Sequence, residues 1–233
     1  MKQAFIYINY NNIVVLKTYL DVFKAALEHN GYVSEYCTSL DGINKDSLIV
    51  VPMGIDAFKF YLKGYRQIIL WQQGATSEES YLRNHSKLRM NILNFIDCFV
   101  MKKAKFILFV SENLRRYYEE KAGRSFKQKS YLMPCFNESF DPHVFNGKDY
   151  TKKTFAYVGS LDLWQCFKET VDLFHAIETA EPGATLKVLT FTPEDAISIL
   201  KERGVKNYEV KSVPKDMVRA ELADVSYGFI YTQ

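Results

Sequence analysis

The sequence has few of the residues that cross-link small proteins or interrupt regular structure. Its four cysteines, Cys37, Cys98, Cys135 and Cys166, are widely spaced and form no CxxC pair, which argues against a disulfide framework and a structural zinc site. With 11 glycines and 6 prolines in 233 residues, the chain is neither collagen-like nor of low complexity. No uncharged apolar stretch reaches about 18 residues, and the first apolar run is too short for a signal peptide. These absences predict a cytoplasmic protein with reduced cysteines.

Several catalytic signatures are missing as well. No Walker A loop or GxGxxG turn follows a strand, and there is no GxSxG nucleophile elbow. The four histidines, His29, His85, His143 and His175, have no metal-ligand spacing. P-loop enzymes, conventional NAD enzymes and hydrolases of the elbow type are therefore not indicated, and we expect no metal or other cofactor.

The charged residues are unevenly distributed. Residues 83–129 hold 12 Lys and Arg against 4 Asp and Glu, whereas residues 151–233 hold 10 against 12. The excess of positive charge in residues 83–129 favours contact with phosphates or with an anionic membrane surface. A solvated face without a partner is the alternative.

Apolar runs alternate with helical patterns along the chain. The first series predicts a helix over 14–29, one long helix over 74–105, and strands at 3–8, 32–37, 47–51, 67–71 and 106–110. The long helix has an apolar stripe that we expect to pack mostly on the sheet, membrane contact being the alternative; the stripe consists of Leu88, Ile92, Phe95, Ile96, Phe99 and Val100.

A second series follows a stretch that is rich in Pro, Gly, Asn and Asp. It predicts helices over 164–180, 193–203 and 214–222, and strands at 154–158, 184–190, 208–211 and 225–231. We therefore predict an α/β protein with two Rossmann-like domains, 1–133 and 153–233, joined by a linker over 134–152. The second domain is expected to be incomplete, because no helix follows to cover its last strand.

Three segments place small and polar residues where ligands bind in α/β proteins. Residues 71–80 (WQQGATSEES) run from a strand into a helix, and residues 155–161 (FAYVGSL) run from a strand into a small-residue turn. Carboxyl ends of strands, helix starts and exposed backbone N–H groups form such sites. A tight turn needs glycine in any case, so a purely structural role for Gly74 and Gly159 is the alternative. The third segment, 131–138 (YLMPCFNE), lies between the two series.

In this order, the three segments resemble the retaining glycosyltransferases with the GT-B fold, of the family 4 type. In that family a strand ending in Val-Ser opens the last helix of the first domain, as 109–112 (FVSE) does here. A Pro-Asn-Gly-Val-Asp-like linker corresponds to 134–138, and a Gly-Arg-Leu…Lys-Gly turn corresponds to Gly159-Ser160-Leu161…Gln165-Cys166. The run 73–81 is similar to a subgroup from bacterial surface-polysaccharide gene clusters.

The resemblance implies transfer of a sugar, with retention, from a nucleotide-sugar donor to a saccharide or lipid-linked acceptor. No obligatory metal and no nucleic acid is expected, and the basic region 83–129 would contact the inner face of an anionic membrane. The implied donor-binding residues are Gly159, Ser160, Gln165, Lys168, Thr190 and Val213. The implied acceptor or cleft residues are Tyr10, Asn11, Asn12, Gln73, Gly74, His85 and Glu112.

Departures from the family pattern leave other interpretations open. The Arg and Lys that neutralise the donor diphosphate correspond to Ser160 and Gln165, which bring no positive charge, and Lys168 is the candidate replacement. The acidic motif of the family would lie after Gln233, so no catalytic residue is assigned and a truncated second domain is expected. A catalytically inactive binding protein is the alternative. A third interpretation, an unrelated α/β protein that binds a small ligand, would need a closed second sheet.

Overall fold

The structure, a computed structural model, describes residues 2–8, 13–135 and 142–230. It divides into two compact units, unit 1 (Met1–Glu138) and unit 2 (Ser139–Gln233), and each is described by itself. The elements of unit 1 are β1 (Lys2–Tyr7), α1 (Ile13–His29), β2 (Tyr32–Cys37), β3 (Leu48–Val51), α2 (Gly54–Leu62), β4 (Ile68–Gln72), α3 (Thr76–Asn84), α4 (Lys87–Lys103), β5 (Phe106–Phe109), α5 (Glu112–Ala122) and β6 (Ser130–Leu132). The elements of unit 2 are β7 (Thr154–Val158), α6 (Phe167–Ala180), β8 (Thr185–Leu189), α7 (Pro193–Glu202), β9 (Tyr208–Lys211), α8 (Val218–Glu221) and β10 (Tyr227–Gly228).

Each unit is built on one parallel sheet, as the alternation of strands and helices predicts. The described strands of unit 1 lie in the order β2-β1-β3-β4-β5-β6, and those of unit 2 lie in the order β10-β7-β8-β9. The order reverses between β1 and β3 in the first sheet and between β7 and β10 in the second. In open α/β sheets, ligands bind outside the carboxyl ends of the strands at such switch points.

The central strand β3 is buried on both faces, which explains its continuous apolar run. In β3, Ile49 and Val51 join the core under α2, α4 and α5, whereas Leu48 and Val50 join the core under α1. Successive side chains of a strand point to opposite faces, so four consecutive apolar residues serve two cores. In unit 2, alternate residues of β8, Leu186 and Val188, join residues of α6 and α7 in one core.

The prediction of a single long helix over 74–105 is wrong, because the helix is interrupted between α3 and α4. His85 has a left-handed backbone with φ 51° and ends α3, its N–H donating to the carbonyl of Tyr81. Ser86 then begins α4, and its side chain accepts a hydrogen bond from the N–H of Arg89 at 3.3 Å. A histidine rarely adopts this conformation, so the sequence pattern does not mark the break.

The expected packing of the apolar stripe is only partly confirmed. Ile96 and Val100 are buried under the sheet, but Leu88, Ile92 and Phe95 are exposed. The two sets lie on neighbouring faces of α4, and only one of these faces packs on the sheet. No helix in the described ranges is long and apolar enough to cross a bilayer.

The short elements were harder to predict. The sequence reading missed α2 and β6, and the helix expected over 214–222 is a 3₁₀ turn (Lys215–Met217) followed by the one-turn α8. Of the strand expected over 225–231, the structure describes residues up to 230, and within these the ladder pairing is confined to Tyr227–Gly228, next to Phe155 and Ala156 of β7.

Candidate functional site

The turn after β7 is the best-defined candidate site of unit 2. The N–H of Gly159 donates to the carbonyl of Leu189 at 3.1 Å, which carries the sheet pairing one residue beyond β7. A side-chain carbon on Gly159 would lie 3.5 Å from Oε1 of Gln165 and 3.4 Å from the hydroxyl of Tyr157. Gly159 and Gln165, which are six residues apart in sequence, are therefore neighbours at the switch point of this sheet.

Tyr157 holds this turn in place. Its ring lies in the core, 4.7 Å from the ring centroid of Phe167, and its hydroxyl donates to the backbone carbonyl of Ser160 at 2.5 Å. Burial raises the pKa of Tyr157 to about 12, so the hydroxyl remains a neutral donor at physiological pH. The sequence reading treated Tyr157 only as a strand residue, because the alternation pattern shows its burial and not its partner.

The side chain of Ser160 is already engaged. Its hydroxyl donates to Oδ2 of Asp162 at 2.9 Å, and its oxygen accepts a long hydrogen bond of 3.4 Å from the N–H of Asp162. Ser160 therefore offers a bound phosphate less than its sequence position predicts. Asp162 also adds a negative charge next to the turn, which opposes an anionic ligand.

Helix α6 begins directly beside the turn. Cys166 precedes it with φ 48°, and no side chain caps the first N–H groups of the helix. Unpaired N–H groups and the helix dipole favour an anion at this end. Lys168 lies in the first turn of α6 with an exposed side chain, so a positive charge is available within the same turn.

The ends of β8 and β9 add a second patch to the same sheet edge. Thr190 is 5% exposed, and its N–H donates to the carbonyl of Lys211 at 3.0 Å. Its hydroxyl, however, has no hydrogen-bond partner, and leaving such a group unsatisfied costs about 1–3 kcal/mol. The next residue, Phe191, is 76% exposed, and Val213 is half-buried beyond β9. The exposed ring of Phe191 offers a surface on which a heterocyclic base can stack.

In unit 1, the turn after β4 is tied to the core by buried hydrogen bonds. Nε2 of Gln72 donates to the carbonyl of Gly74 at 2.7 Å and to the hydroxyl of Tyr118 at 2.9 Å. The hydroxyl of Tyr118 lies 3.1 Å from Oδ2 of Asp97, to which it donates. Nε2 of Gln73 donates to the carbonyl of Pro52 at 3.2 Å, so the turn is also joined to the end of β3.

Asp97 is the titratable centre of this network. It is 2% exposed, and burial raises its pKa to about 6 although the hydrogen bond from Tyr118 opposes the shift. A side-chain carbon on Gly54, the first residue of α2, would collide with its carboxylate. Burial also raises the pKa of Tyr118, which keeps that hydroxyl protonated. The network positions the Gln73-Gly74 turn and lies beneath the surface.

The start of α3 is already occupied by the protein's own carboxylates. A side-chain carbon on Gly74 would collide with the carboxylate of Glu79, and Glu78 also lies in the first turn of α3. The predicted preference of this helix start for an anion is therefore not favoured, because the local charge is negative. Carboxylates next to a half-buried turn suit a ligand with hydroxyl groups.

The contacts of the remaining predicted residues of unit 1 are with residues other than the Gln73-Gly74 turn. His85 is exposed, and its ring meets that of Tyr81 edge-on at 6.1 Å. Glu112 pairs with Arg115 at 2.6 Å and with Arg116 at 3.1 Å. Although burial opposes it, these hydrogen bonds lower the pKa of Glu112. Tyr10, Asn11 and Asn12 lie outside the described residues.

In the described ranges, no three His, Cys, Asp or Glu side chains come close enough to hold a metal ion together. The structure brings Gly159 and Gln165 together, with Ser160 joined to them through Tyr157. Lys168, Thr190 and Val213 lie at or just beyond the same edge of the sheet, formed by the carboxyl ends of its strands and the start of α6.

Solved structures of low sequence identity are similar in fold to this chain. No protein-family model matches the sequence, and no curated protein matches it. A structure of a mutant of S. aureus TarM with fondaparinux, alpha-GlcNAc-glycerol and UDP is similar, with a TM-score of 0.58 and 8% identity over 82% of this chain and 37% of TarM. A glycosyltransferase from Rickettsia africae ESF-5 is similar with a TM-score of 0.54 and 7% identity over 99% of this chain and 73% of its own.

These likenesses establish the fold and leave the activity open, because the identities are low. The chain spans little more than a third of TarM. The two parallel sheets of six and four strands thus have the α/β, Rossmann-like architecture of GT-B glycosyltransferase structures.

Proposed function

We propose that this chain binds a nucleotide-sugar at the carboxyl edge of the unit 2 sheet and serves sugar transfer. The observation that carries the proposal is the Gly159 turn, which lies at the switch point of the sheet with Gln165 beside it and the uncapped start of α6 next to it. Open α/β sheets bind phosphorylated ligands at this place. The sequence resemblance to retaining family 4 enzymes independently assigns the donor to the same residues.

The residues assigned to this edge define the proposed orientation of the donor. The diphosphate would lie beside the turn at Gly159, against the backbone N–H groups of the first turn of α6, with Lys168 supplying positive charge. The base would reach the patch formed by Thr190, Phe191 and Val213. Because TarM was solved with UDP, UDP is the first nucleotide to test.

Catalysis would rest on stabilising the diphosphate as it leaves, which preorganised donors and charges achieve. Gln165 and Ser160 replace the two cations that the family pattern has, and the Asp162 carboxylate opposes charge build-up. Lys168 would therefore provide the main electrostatic stabilisation. Transfer would retain the anomeric configuration and need no metal, as in the resembled family.

Unit 1 would supply the acceptor side. The Gln73-Gly74 turn, with Glu79 behind it, presents amide and carboxylate groups that suit sugar hydroxyls. Tyr10, Asn11, Asn12, His85 and Glu112 complete the acceptor assignment made from the resemblance. A saccharide or lipid-linked acceptor of bacterial surface-polysaccharide synthesis is the substrate class that this assignment favours.

We also infer contact with an anionic membrane through the basic region 83–129. Part of its charge is used internally: Arg115 and Arg116 pair with Glu112, and Lys121 pairs with Glu78. Lys129 donates to the carbonyls of Met101, Lys102 and Ala104, at the end of α4. The positive charge available to a membrane is therefore concentrated on α4 and the residues next to it.

Isothermal titration with UDP tests the donor assignment. We expect saturable binding that Lys168→Ala weakens at least about fivefold, since one charge-assisted contact is lost. Lys201→Ala, on the exposed face of α7, is the matched control and should leave the affinity unchanged. Equal effects of the two variants, or no binding at millimolar UDP, would contradict the assignment.

An inactive nucleotide-binding protein is the second candidate. The Ser160–Asp162 hydrogen bond favours it, because it occupies the Ser160 hydroxyl and places a carboxylate at the turn, where a leaving diphosphate would need to be stabilised. The two candidates differ in turnover. Incubation with a panel of UDP-sugars, followed by measurement of released UDP, would show transfer or donor hydrolysis only for an enzyme.

A further inference from the structure

Helix α4 is apolar on a second face besides the one that packs in unit 1. One side buries Ile96, Val100 and Met101 in the core of unit 1. The other side exposes Leu88, Ile92 and Phe95, which are 73%, 51% and 65% accessible. Their spacing of four and three residues places them on one stripe of the helix. An exposed stripe of large apolar side chains on a helix that already has a buried face indicates a second contact surface.

Helix α2 continues this stripe. Phe58 of α2 meets Phe99 of α4 edge-on at 5.5 Å, and Phe99 stacks with Phe95 at 6.3 Å. On the same helix as Phe58, Leu62 is 72% exposed. We call the combined patch the α2–α4 surface; it consists of Ile55, Phe58, Leu62, Leu88, Ile92, Phe95 and Phe99.

The exposed charges that α2 and α4 themselves carry have one sign, although Lys59 also pairs with Asp56 at 3.0 Å. The two helices contain just two acidic residues, Asp56 and Asp97, and these are 5% and 2% exposed. Their exposed charges, together with that of the residue after α2, are all positive: Lys59, Lys63, Lys87, Arg89, Lys102 and Lys103. All but one are lysines, which are depleted at protein–protein interfaces but attracted to anionic headgroups.

We propose that the α2–α4 surface docks unit 1 on an anionic lipid bilayer, with α4 lying in the plane of the interface. Leu88, Ile92 and Phe95 would enter the boundary between headgroups and acyl chains, while Lys102 and Lys103 contact lipid phosphates. A helix with a stripe of Phe and Leu side chains flanked by lysines binds membranes in this way. The inference rests on the membrane contact proposed above and adds an apolar, inserting element to it.

Vesicle co-sedimentation tests the inference on the full chain. Vesicles of phosphatidylglycerol and phosphatidylcholine in equal parts are compared with phosphatidylcholine alone, at low and high salt. We expect binding to the mixed vesicles, and at least about a tenfold loss of the partition coefficient in the double variant Leu88→Ser/Phe95→Ser. Leu173→Ser, which removes a 53% exposed leucine from α6, is the control and should bind as the unchanged chain does.

Charge variants separate insertion from electrostatics. Lys102→Gln/Lys103→Gln should weaken binding to the mixed vesicles, whereas Lys201→Gln should not. If these lysine variants lose binding but Leu88→Ser/Phe95→Ser keeps it, insertion is wrong and a purely electrostatic contact remains. If the unchanged chain binds neither kind of vesicle, both membrane proposals fail.

Two further measurements complete the test. Sedimentation velocity detects self-association, and dissociation of a dimer by Phe95→Ser without vesicle binding would identify the surface as a contact between copies and overturn the proposal. UDP titration and thermal melting of each variant confirm folding, and UDP binding does not depend on the membrane result. Failure of docking and failure of the nucleotide assignment are therefore distinguishable.

Discussion

Replacing Asp97 by asparagine tests the buried network of unit 1. The substitution removes a carboxyl group that is 2% exposed and keeps an oxygen that can accept the hydrogen bond from Tyr118. Burial raises the pKa of Asp97 from 3.8 to about 6, so the folded state binds this proton more tightly than the unfolded chain. The resulting stabilisation is complete below pH 3.8 and is lost as the pH rises through about 6.

The size of the effect follows from the difference between the two pKa values. A shift of about two units corresponds to about 3 kcal/mol, because each unit is worth about 1.4 kcal/mol. Wild type loses this contribution between pH 4 and pH 8, whereas Asp97→Asn has no charge to bury. The free energy of unfolding of the variant, relative to wild type, should therefore rise by about 3 kcal/mol over that range.

Urea unfolding at several pH values between 4 and 8 measures this difference. The chain has two tryptophans, and in a Trp164→Phe background the fluorescence of buried Trp71 reports on unit 1 alone. Asp46→Asn, at an exposed position of unit 1, is the matched control and should show no such rise. If wild type and Asp97→Asn keep a constant difference from pH 4 to pH 8, the raised pKa of Asp97 is refuted.

Three further substitutions probe the turns. Gly54→Ala should destabilise unit 1 by about 1–3 kcal/mol in urea unfolding, because the new carbon collides with the Asp97 carboxylate; unchanged stability would show that the helix start can shift freely. Thr190→Val should stabilise unit 2 by about 1 kcal/mol or more, since it removes a buried hydroxyl without a partner, and should weaken UDP binding in calorimetry. Loss of stability would show that the hydroxyl is satisfied. Tyr157→Phe should lower the melting temperature and weaken UDP binding together, because the Ser160 carbonyl loses its donor; unchanged UDP affinity would separate that hydrogen bond from the site.

Much of the fold could be predicted from the sequence because buried parallel strands are continuous apolar runs. The run Leu48–Val51 is one example, and Gly31 and Gly204 mark helix ends through their positive φ. The break at His85 could not be predicted, since a non-glycine residue takes the left-handed conformation there. The short α2 and β6 were missed because neither has enough residues to show a clear period.

The candidate site was predictable as positions along the chain, but its contacts were not. Strand ends identify Gly159 and Gln73 as edge residues, because parallel strands share one carboxyl edge. The Ser160–Asp162 hydrogen bond and the approach of Glu79 to Gly74 depend on local backbone geometry, which periodicity does not encode. The exposed stripe of α4 was misassigned for a similar reason: a pattern that is apolar on two sides does not show which side packs.

Residue-resolved NMR of the amide-labelled chain during titration with UDP tests the nucleotide assignment most directly. The account predicts saturable shifts at the amides of Gly159, Ser160 and Thr190 and in the first turn of α6, with little change in unit 1. The same titration of Lys168→Ala should need a higher UDP concentration and reach the same set of amides. Shifts confined to residues away from this sheet edge, or none at millimolar UDP, would contradict the account.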